Sequence, residues 1–301
     1  MTMADLAPTL SVCIVTFNSG DTIAECLESV GRQRGIAVEA IVVDNASRDD
    51  SALRAEAFPF CRVIRNPSNV FFAPANNQAL RAARGEFVLV LNPDTVLEPD
   101  TAPTMVAELR ARPDVGAAIC TIVGDAADGT TEVPHWWSRR GFFHLLGSLQ
   151  PWLWWGERRV PAATKSPTQT IDVDVISDAC MFARRSTIES IGWYDERYRL
   201  YFTEDDICHR LWAAGWRVQY CPVTRVCHHG STSTRKAPRL WLRWLTVQDL
   251  LTYARRYHGL GAFCVLAVAS MLDLALVAAV RGAKWLGGAL QRAVNVSDAA
   301  A

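Results

Sequence analysis

Short β-branched apolar runs alternate with amphipathic segments over the first ~120 residues, and this alternation commits the chain to a parallel sheet with crossover helices. LSVCIVTF (10–17), VEAIVVD (38–44), CRVIRN (61–66), EFVLVLN (86–92) and VGAAICTI (115–122) read as buried strands. Between the first two, DTIAECLESVGRQ sets Ile23, Cys26, Leu27 and Val30 at helical spacing, with Asp21 as N-cap and Gly31 or Gly35 near the end. APANNQALRAARG (73–85) predicts a helix stopped at Gly85, and a further helix covers about 99–111 with Glu98 and Asp100 as its cap and first turn. The strand ends at Phe17, Asp44 and Asn92 therefore share the carboxyl edge, where open α/β sheets bind ligands.

Past residue 123 the rhythm breaks. GDAADGT is a turn, and the segment 134–159 mixes aromatics with Arg; five of the chain's 11 Trp fall between 136 and 155. Strand signals return at TIDVDVIS (170–177), followed by a short helix from Ser186 and a helix over Asp205–Ala214 whose buried stripe is Ile207, Leu211 and Ala214. WRVQYC (216–221) and TRVCHH (224–229) predict two short strands. From about 238 the chain is basic, aromatic helix, and LGAFCVLAVASMLDLALVAAV (260–280) is an apolar run interrupted by Ser270 and Asp273.

Composition narrows the function classes. With 301 residues, 50% hydrophobic and 21% charged, the chain can bury a sizeable core, and its formal net charge of zero argues against a nucleic-acid coat. The nine Cys have no CxxC spacing, and Cys13 and Cys120 lie inside apolar runs, so they read as reduced thiols of a cytosolic protein. The N-terminus lacks a basic region followed by an apolar one, which argues against secretion. Trp beside Arg in 134–159 suits a bilayer interface, with an ordinary aromatic subcore as the alternative. Residues 260–280 have the length of one span, though Asp273 near the middle costs ~2.5–3.5 kcal/mol on insertion scales.

Taken singly, VTFN (15–18), VVDNAS (42–47) and LNPD (91–94) are ordinary strand ends with turn-forming residues. Together, Thr16 with Asn18, Asp44 with Asn45, and Asn92 with Asp94 place polar groups on one edge, the expected position of a binding cleft. Downstream, Glu204, Asp205 and Asp206 open a helix, with Thr203 as a cap that orients them.

In this order the motifs resemble family 2 glycosyltransferases, the inverting, nucleotide-sugar-dependent class with a GT-A, Rossmann-like mostly parallel sheet and flanking helices. The resemblance covers about residues 9–235. Thr16-Phe17-Asn18 matches the end of the family's first strand, and Val43-Asp44-Asn45-Ala46-Ser47 that of its second, whose Asp reads the nucleobase. NVFFAPANNQA (69–79) is similar to the family's N-x-G-F-[AG]-x-x-N-N-x-G, which adds Asn69, Asn76 and Asn77 to the nucleotide-sugar side together with Asn92. Leu91-Asn92-Pro93-Asp94 resembles the metal-binding motif of the rhamnosyltransferase-like branch, so Asp94 is the expected ligand of Mg2+ or Mn2+, with His228 or His229 of HHGSTS adding an imidazole. Gly192 to Tyr198 matches an acceptor-side motif, placing Trp193 and Asp195 there.

The resemblance implies a base that deprotonates the acceptor hydroxyl. Asp205 is the first choice and Glu204 the second, because an ungapped match of Asp206-Ile207-Cys208 puts Glu204 where the family's base Asp stands; Asp206 reads as structural. Three positions depart from the pattern: Phe71 and Ala79 replace Gly, and Asp178, on the donor and acceptor sugar side, also replaces Gly. The implied protein transfers a sugar from a dTDP- or UDP-linked donor to a polyprenyl-diphosphate-linked saccharide in surface polysaccharide synthesis. L-N-P-D favours a deoxythymidine-diphospho-rhamnose donor. The implied location is the cytoplasmic face of the membrane, peripheral or with one span at 260–280. The domain expectation is 1–122 for donor binding, 123–169 as insertion, 170–235 for acceptor and catalysis, and 236–301 as a membrane-associated helical region. A non-catalytic nucleotide-sugar-binding scaffold is the competing reading. A sugar nucleotidyltransferase is disfavoured by the lack of a Gly-rich, basic loop after the first strand.

Overall fold

The computed structural model describes residues 7–124, 135–147, 149, 167–230, 237–276 and 279. Much of the Trp/Arg segment 134–159, the GDAADGT turn, Ser231 to Ser233 of HHGSTS and the end of the 260–280 run lie outside the described residues. The chain divides into two compact units, residues 1–139 with 163–249, and residues 140–162 with 250–301.

The first unit is built on β1 (Leu10–Thr16), β2 (Val38–Asp44), β3 (Cys61–Arg65) and β4 (Phe87–Leu91), interleaved with α1 (Ile23–Gly31), α2 (Ser51–Glu56) and α3 (Phe72–Ala82). β1 pairs in parallel with both β2 and β4, and β2 with β3. β4 is buried along its whole length, as a parallel strand covered on both faces must be, which is why it reads as an unbroken apolar run. After β5 (Thr95–Leu97) and α4 (Thr101–Ala111) come β6 (Val115–Gly124), β7 (Trp136–Trp137) and α5 (Phe142–Gly147). Then follow β8 (Ile171–Asp172), β9 (Val175–Ile176), β10 (Cys180–Arg184), α6 (Arg185–Ser190), α7 (Thr203–Ala213) and β11 (Arg217–His228).

The sheet order is β3-β2-β1-β4-β10-β6-β11-β5, with β8 also on β11. β10 runs antiparallel to both β4 and β6, and β11 runs parallel to β6. The six longer parallel strands therefore all end on one edge, and the residues just before β10 arrive at that edge from the opposite direction.

Several local expectations are corrected. α1 begins at Ile23 after Thr22, so Asp21 is not its N-cap, and Thr22 makes no side-chain cap bond. TIDVDVIS splits into β8, which pairs with β11, and β9, which pairs with β7. WRVQYC and TRVCHH are one strand, β11, whose pairing with β6 is irregular between Tyr220 and Arg225. Pro222 lies in that stretch and has no N–H for the ladder. Ala214 is exposed, and the buried positions of α7 include Ile207, Cys208 and Leu211. β5, β10 and the short α2 were not anticipated.

Gly85 sits where β4 begins, and a Cβ there would stand 2.7 Å from the Ser11 amide nitrogen and 2.8 Å from the Phe87 carbonyl oxygen. Both are backbone atoms of paired strands and cannot swing aside. Gly85→Ala is expected to cost about 1–3 kcal/mol, read as a fall in the denaturant midpoint with an unchanged slope.

The first compact unit runs on through residue 249, past the boundary expected at 235/236. The first part of α8 (Arg239–Tyr257) belongs to this unit, where Asp249 accepts the backbone N–H groups of Arg199, Leu200 and Tyr201 at 3.0, 2.9 and 2.9 Å. A helix that ties down the loop before α7 is part of the fold rather than an appendage.

In the second unit the helix Gly259–Leu276, here α9, is long and apolar enough to cross a membrane by length and composition. Its polar residues Ser270 and Asp273 are buried, whereas Val265, Val268, Met271, Leu272 and Leu276 are exposed. That is the inverse of the pattern on a water-facing helix.

Candidate active site

Thr16 and Asp44 are register partners at the ends of β1 and β2. Thr16 is fully buried and its Oγ1 has no hydrogen-bond partner; Asp44 accepts Ser47 N–H on Oδ2 at 3.2 Å while its buried Oδ1 has none. Buried polar atoms are rarely left so, and two side by side on a ligand-binding edge form a recognition surface for a polar group. Phe17 is half-buried beside them. Asn18, at φ 54, accepts the Arg48 N–H at 2.8 Å and closes the turn around this corner.

The asparagines expected on the donor side divide into two groups. Asn45 is saturated internally: its Oδ1 accepts from Asn66 Nδ2 and Val70 N, and its Nδ2 donates to Asn69 Oδ1 and the Phe71 carbonyl. Asn69 Oδ1 also accepts the Phe71 N–H at 2.8 Å. Asn77, fully buried, ties α3 to the 194–196 turn by donating to the Tyr194 carbonyl and Glu196 and accepting the Tyr194 N–H. Asn45 and Asn77 thus act as struts within the protein, whereas Asn69 engages only its side-chain oxygen there. Asn76 donates to the Phe72 carbonyl and keeps a buried, unpartnered Oδ1.

Phe71 has φ 71 and ψ 178, a region essentially reserved for Gly, which explains why a Gly pattern belongs at this position. Its ring does not enter the donor side. It stacks on Trp241 at 6.4 Å and 19°, with the Arg199 guanidinium 5.3 Å from its centroid. Ala79 is fully buried in α3 and packs in the core.

A second corner forms where β5 pairs antiparallel with β11, setting His228 opposite Thr95 and therefore beside Asp94. Asp94 Oδ1 and His228 Nε2 are 3.1 Å apart, both largely buried, and Asn92 Nδ2 lies 3.3 Å from the same nitrogen. Two ligands at about 2.1 Å from one ion and at right angles stand about 3 Å apart, so the pair has the bite of a divalent-cation site. Among the described residues no third His, Cys, Asp or Glu completes such a cluster. His229 does not join it: its backbone N–H donates to the Asp94 carbonyl, and its imidazole faces Glu25 at 3.6 Å. The expected choice between the two histidines falls to His228. His135, missed in the sequence, lies edge-on to His228 at 5.6 Å; burial, then His228, push it down to about 4, so it is neutral at pH 7.

The third corner gathers acids. Asp206 is fully buried against Arg210 at 2.7 Å and is structural, as expected. Asp205 is 1% exposed and accepts from the Trp137 indole N–H at 3.2 Å, whereas Glu204 is half-buried. Thr203 does not cap α7; the N-cap is Phe202 at φ 61, and the Thr203 hydroxyl turns to Asp178 at 2.8 Å. The other Asp178 oxygen accepts from Tyr194 Oη at 2.7 Å, so both its oxygens are engaged within the protein rather than pointing at a sugar. Burial, then Glu204, push the Asp178 carboxyl well above the usual carboxylate range. Trp193 adopts φ 65 and is half-buried, and Asp195 holds Arg197 through both carboxylate oxygens.

His135 and Trp137 were hidden in a segment read as a membrane contact. The period of two along β7 was the available signal: His135 and Trp137 face the site, while Trp136 packs on Tyr220 at 5.8 Å.

The family model described as Glycosyl transferase family 2 matches residues 11–192. An N-acetylglucosaminyl-diphospho-decaprenol L-rhamnosyltransferase of Mycobacterium tuberculosis is 27% identical over 278 residues, 85% of this chain and 87% of that protein. The rhamnosyltransferase WbbL of Escherichia coli is 25% identical over 168 residues, 54% of this chain and 60% of that protein. Among solved structures, GalNAc-T7 with UDP, GalNAc and Mn2+ superposes with a TM-score of 0.57 at 17% identity, covering 85% of this chain and 52% of that one. The mannosyltransferase PcManGT of Pyrobaculum calidifontis, in complex with GDP-Man and Mn2+, gives 0.55 at 22%, covering 98% and 80%. These structures share the GT-A fold.

Proposed function

The chain belongs to glycosyl transferase family 2, and on that premise we propose that this inverting glycosyltransferase moves rhamnose from a deoxythymidine-diphospho donor to a polyprenyl-diphosphate-linked saccharide. The observation that carries the donor side is the convergence, on one sheet edge, of the unpartnered Thr16 Oγ1 and Asp44 Oδ1 with the Asp94–His228 pair. Asp44 and Thr16 take the nucleobase, and the diphosphate lies toward Asp94. A divalent cation, Mg2+ or Mn2+, held by Asp94 and His228 would neutralise the leaving diphosphate. The rhamnosyl donor and lipid-linked acceptor are supported by the names of the two rhamnosyltransferase relatives and by the Leu91-Asn92-Pro93-Asp94 motif.

Between the two candidate bases we favour Glu204 over Asp205. A base must touch the acceptor hydroxyl, and Glu204 is half-buried, whereas Asp205 is 1% exposed and accepts the Trp137 indole N–H. The Asp206–Arg210 pair supports the ungapped motif match, which leaves Glu204 in the base's place. Phe71 turns its ring onto Trp241, which removes the steric reason for reading the chain as a non-catalytic scaffold.

The protein acts at the cytoplasmic face of the membrane. The exposed apolar side of α9 would meet lipid while Asp273 stays buried, so the charge that weighs against insertion need not face hydrocarbon. Turnover is expected when the full chain is incubated with Mg2+ or Mn2+, a deoxythymidine-diphospho-rhamnose donor and a polyprenyl-diphosphate saccharide, with release of the nucleoside diphosphate. Transfer from UDP-sugars alone would overturn the donor assignment. Metal-dependent donor binding without transfer to any lipid-linked acceptor would overturn the acceptor.

A further inference from the structure

We propose that Asp178 and Thr203 are positioning residues for the transfer: Asp178 stands as a carboxylic acid and donates to Thr203 Oγ1, and Thr203 donates to Glu204, holding that carboxylate ionised and in place. The proposal rests on Glu204 being the base, as argued above.

The geometry makes this a matter of proton count. Thr203 Oγ1 lies 2.8 Å from Asp178 Oδ2 and 3.0 Å from Glu204 Oε2. A hydroxyl carries one hydrogen, so it donates to only one of two carboxylates, and the other contact would set lone pair against lone pair. A second proton on either carboxyl removes the conflict. Position decides which one holds it. Asp178 is 6% exposed, its other oxygen accepts from the Tyr194 hydroxyl, and among the described residues the ionisable groups acting on it are Tyr194, Glu204, Asp205 and the Cys208 thiol, none of them a cation. Glu204 is more exposed and sits in the first turn of α7, where the helix dipole favours negative charge. The chain of bonds therefore runs from Asp178 Oδ2–H to Thr203 Oγ1, and from the Thr203 hydrogen to Glu204 Oε2. A Thr at the start of a helix would ordinarily serve as a cap; this one is turned to the acids instead.

Two readouts test the proposal. Infrared difference spectra of wild type against Asp178→Asn are expected to show a protonated-carboxyl stretch at neutral pH that the variant lacks; absence of that band overturns the proposal. In the pH profile of kcat/KM, Thr203→Val is expected to move the acidic limb up by about one pH unit, and Thr203→Ser to return it. An unmoved limb in Thr203→Val overturns the relay. Asp178→Asn lowers kcat while the limb stays, because an amide at this position still donates to Thr203. A limb that moves down in Asp178→Asn overturns the proposal, since that marks the loss of a negative charge. If Thr203→Val does not fold, the Asp178→Asn limb and the infrared band decide. If Glu204→Gln keeps full turnover, the base assignment fails separately, and the infrared band still reports whether Asp178 carries the proton.

Discussion

Asp94→Ala is expected to lower kcat/KM by at least about 10³-fold and to abolish the response of the reaction to added Mg2+ or Mn2+. Asp94 is the carboxylate beside His228 where we place the diphosphate, and Asn92 next to it supplies no charge to replace it. The loss should fall on the chemical step and on metal affinity rather than on folding. Removing the side chain leaves His228 and Asn92 facing each other, 3.3 Å apart. The measurement is a metal titration of initial rates beside a denaturant midpoint. A variant that retains activity within tenfold and the same metal response would move the metal site elsewhere. His228→Ala should reproduce the metal defect in weaker form, because it removes a ligand without removing the charge.

Glu204→Gln is expected to lower kcat by about 10²–10⁴-fold with little change in KM for either substrate. Gln has the same shape and still accepts from Thr203, so the acceptor binds but its hydroxyl proton has nowhere to go. Asp205→Asn should cost far less, about tenfold, because an amide still receives the Trp137 indole N–H and the loss is one of alignment. The comparison is decisive in either direction: a larger loss in Asp205→Asn than in Glu204→Gln would transfer the base role to Asp205. Asp206→Asn is a different kind of variant. It breaks the pair with Arg210 and should show itself as lost stability before lost chemistry.

Much of the architecture was legible because strands buried on both faces and amphipathic helices leave local periodicities. β1, β2, β4, β6, α1, α3 and α4 stand close to where the apolar patterns put them. Short elements left weaker traces. β5 and β9 are held by partners in other parts of the chain, and β10 follows Asp178 without a turn signal that would have set it apart. Pro222 made β11 look like two strands, although the sheet accommodates it with an irregular register. Caps at Asp21 and Thr203 were the natural local choices, and the second was overruled because Asp178, distant in sequence, offered the hydroxyl a different partner.

The sequence by itself determined the fold class, and it marked the carboxyl edge of the sheet and the motif residues Thr16, Asp44, Asp94, Glu204 and Asp205 as candidates, because each sits at the end or start of an element with a readable period. Tertiary structure alone decided which polar groups are free to act. Asn45 and Asn77 carry motif identities yet spend their amides on the protein's own backbone and side chains. His228 rather than His229 meets Asp94 because β5 and β11 pair in one register. Trp137 reaches Asp205 from a segment with no catalytic signature. The physical reason is common to all of these: a buried donor or acceptor takes the partner that packing brings within about 3 Å, and that partner is set by chain segments far away in sequence.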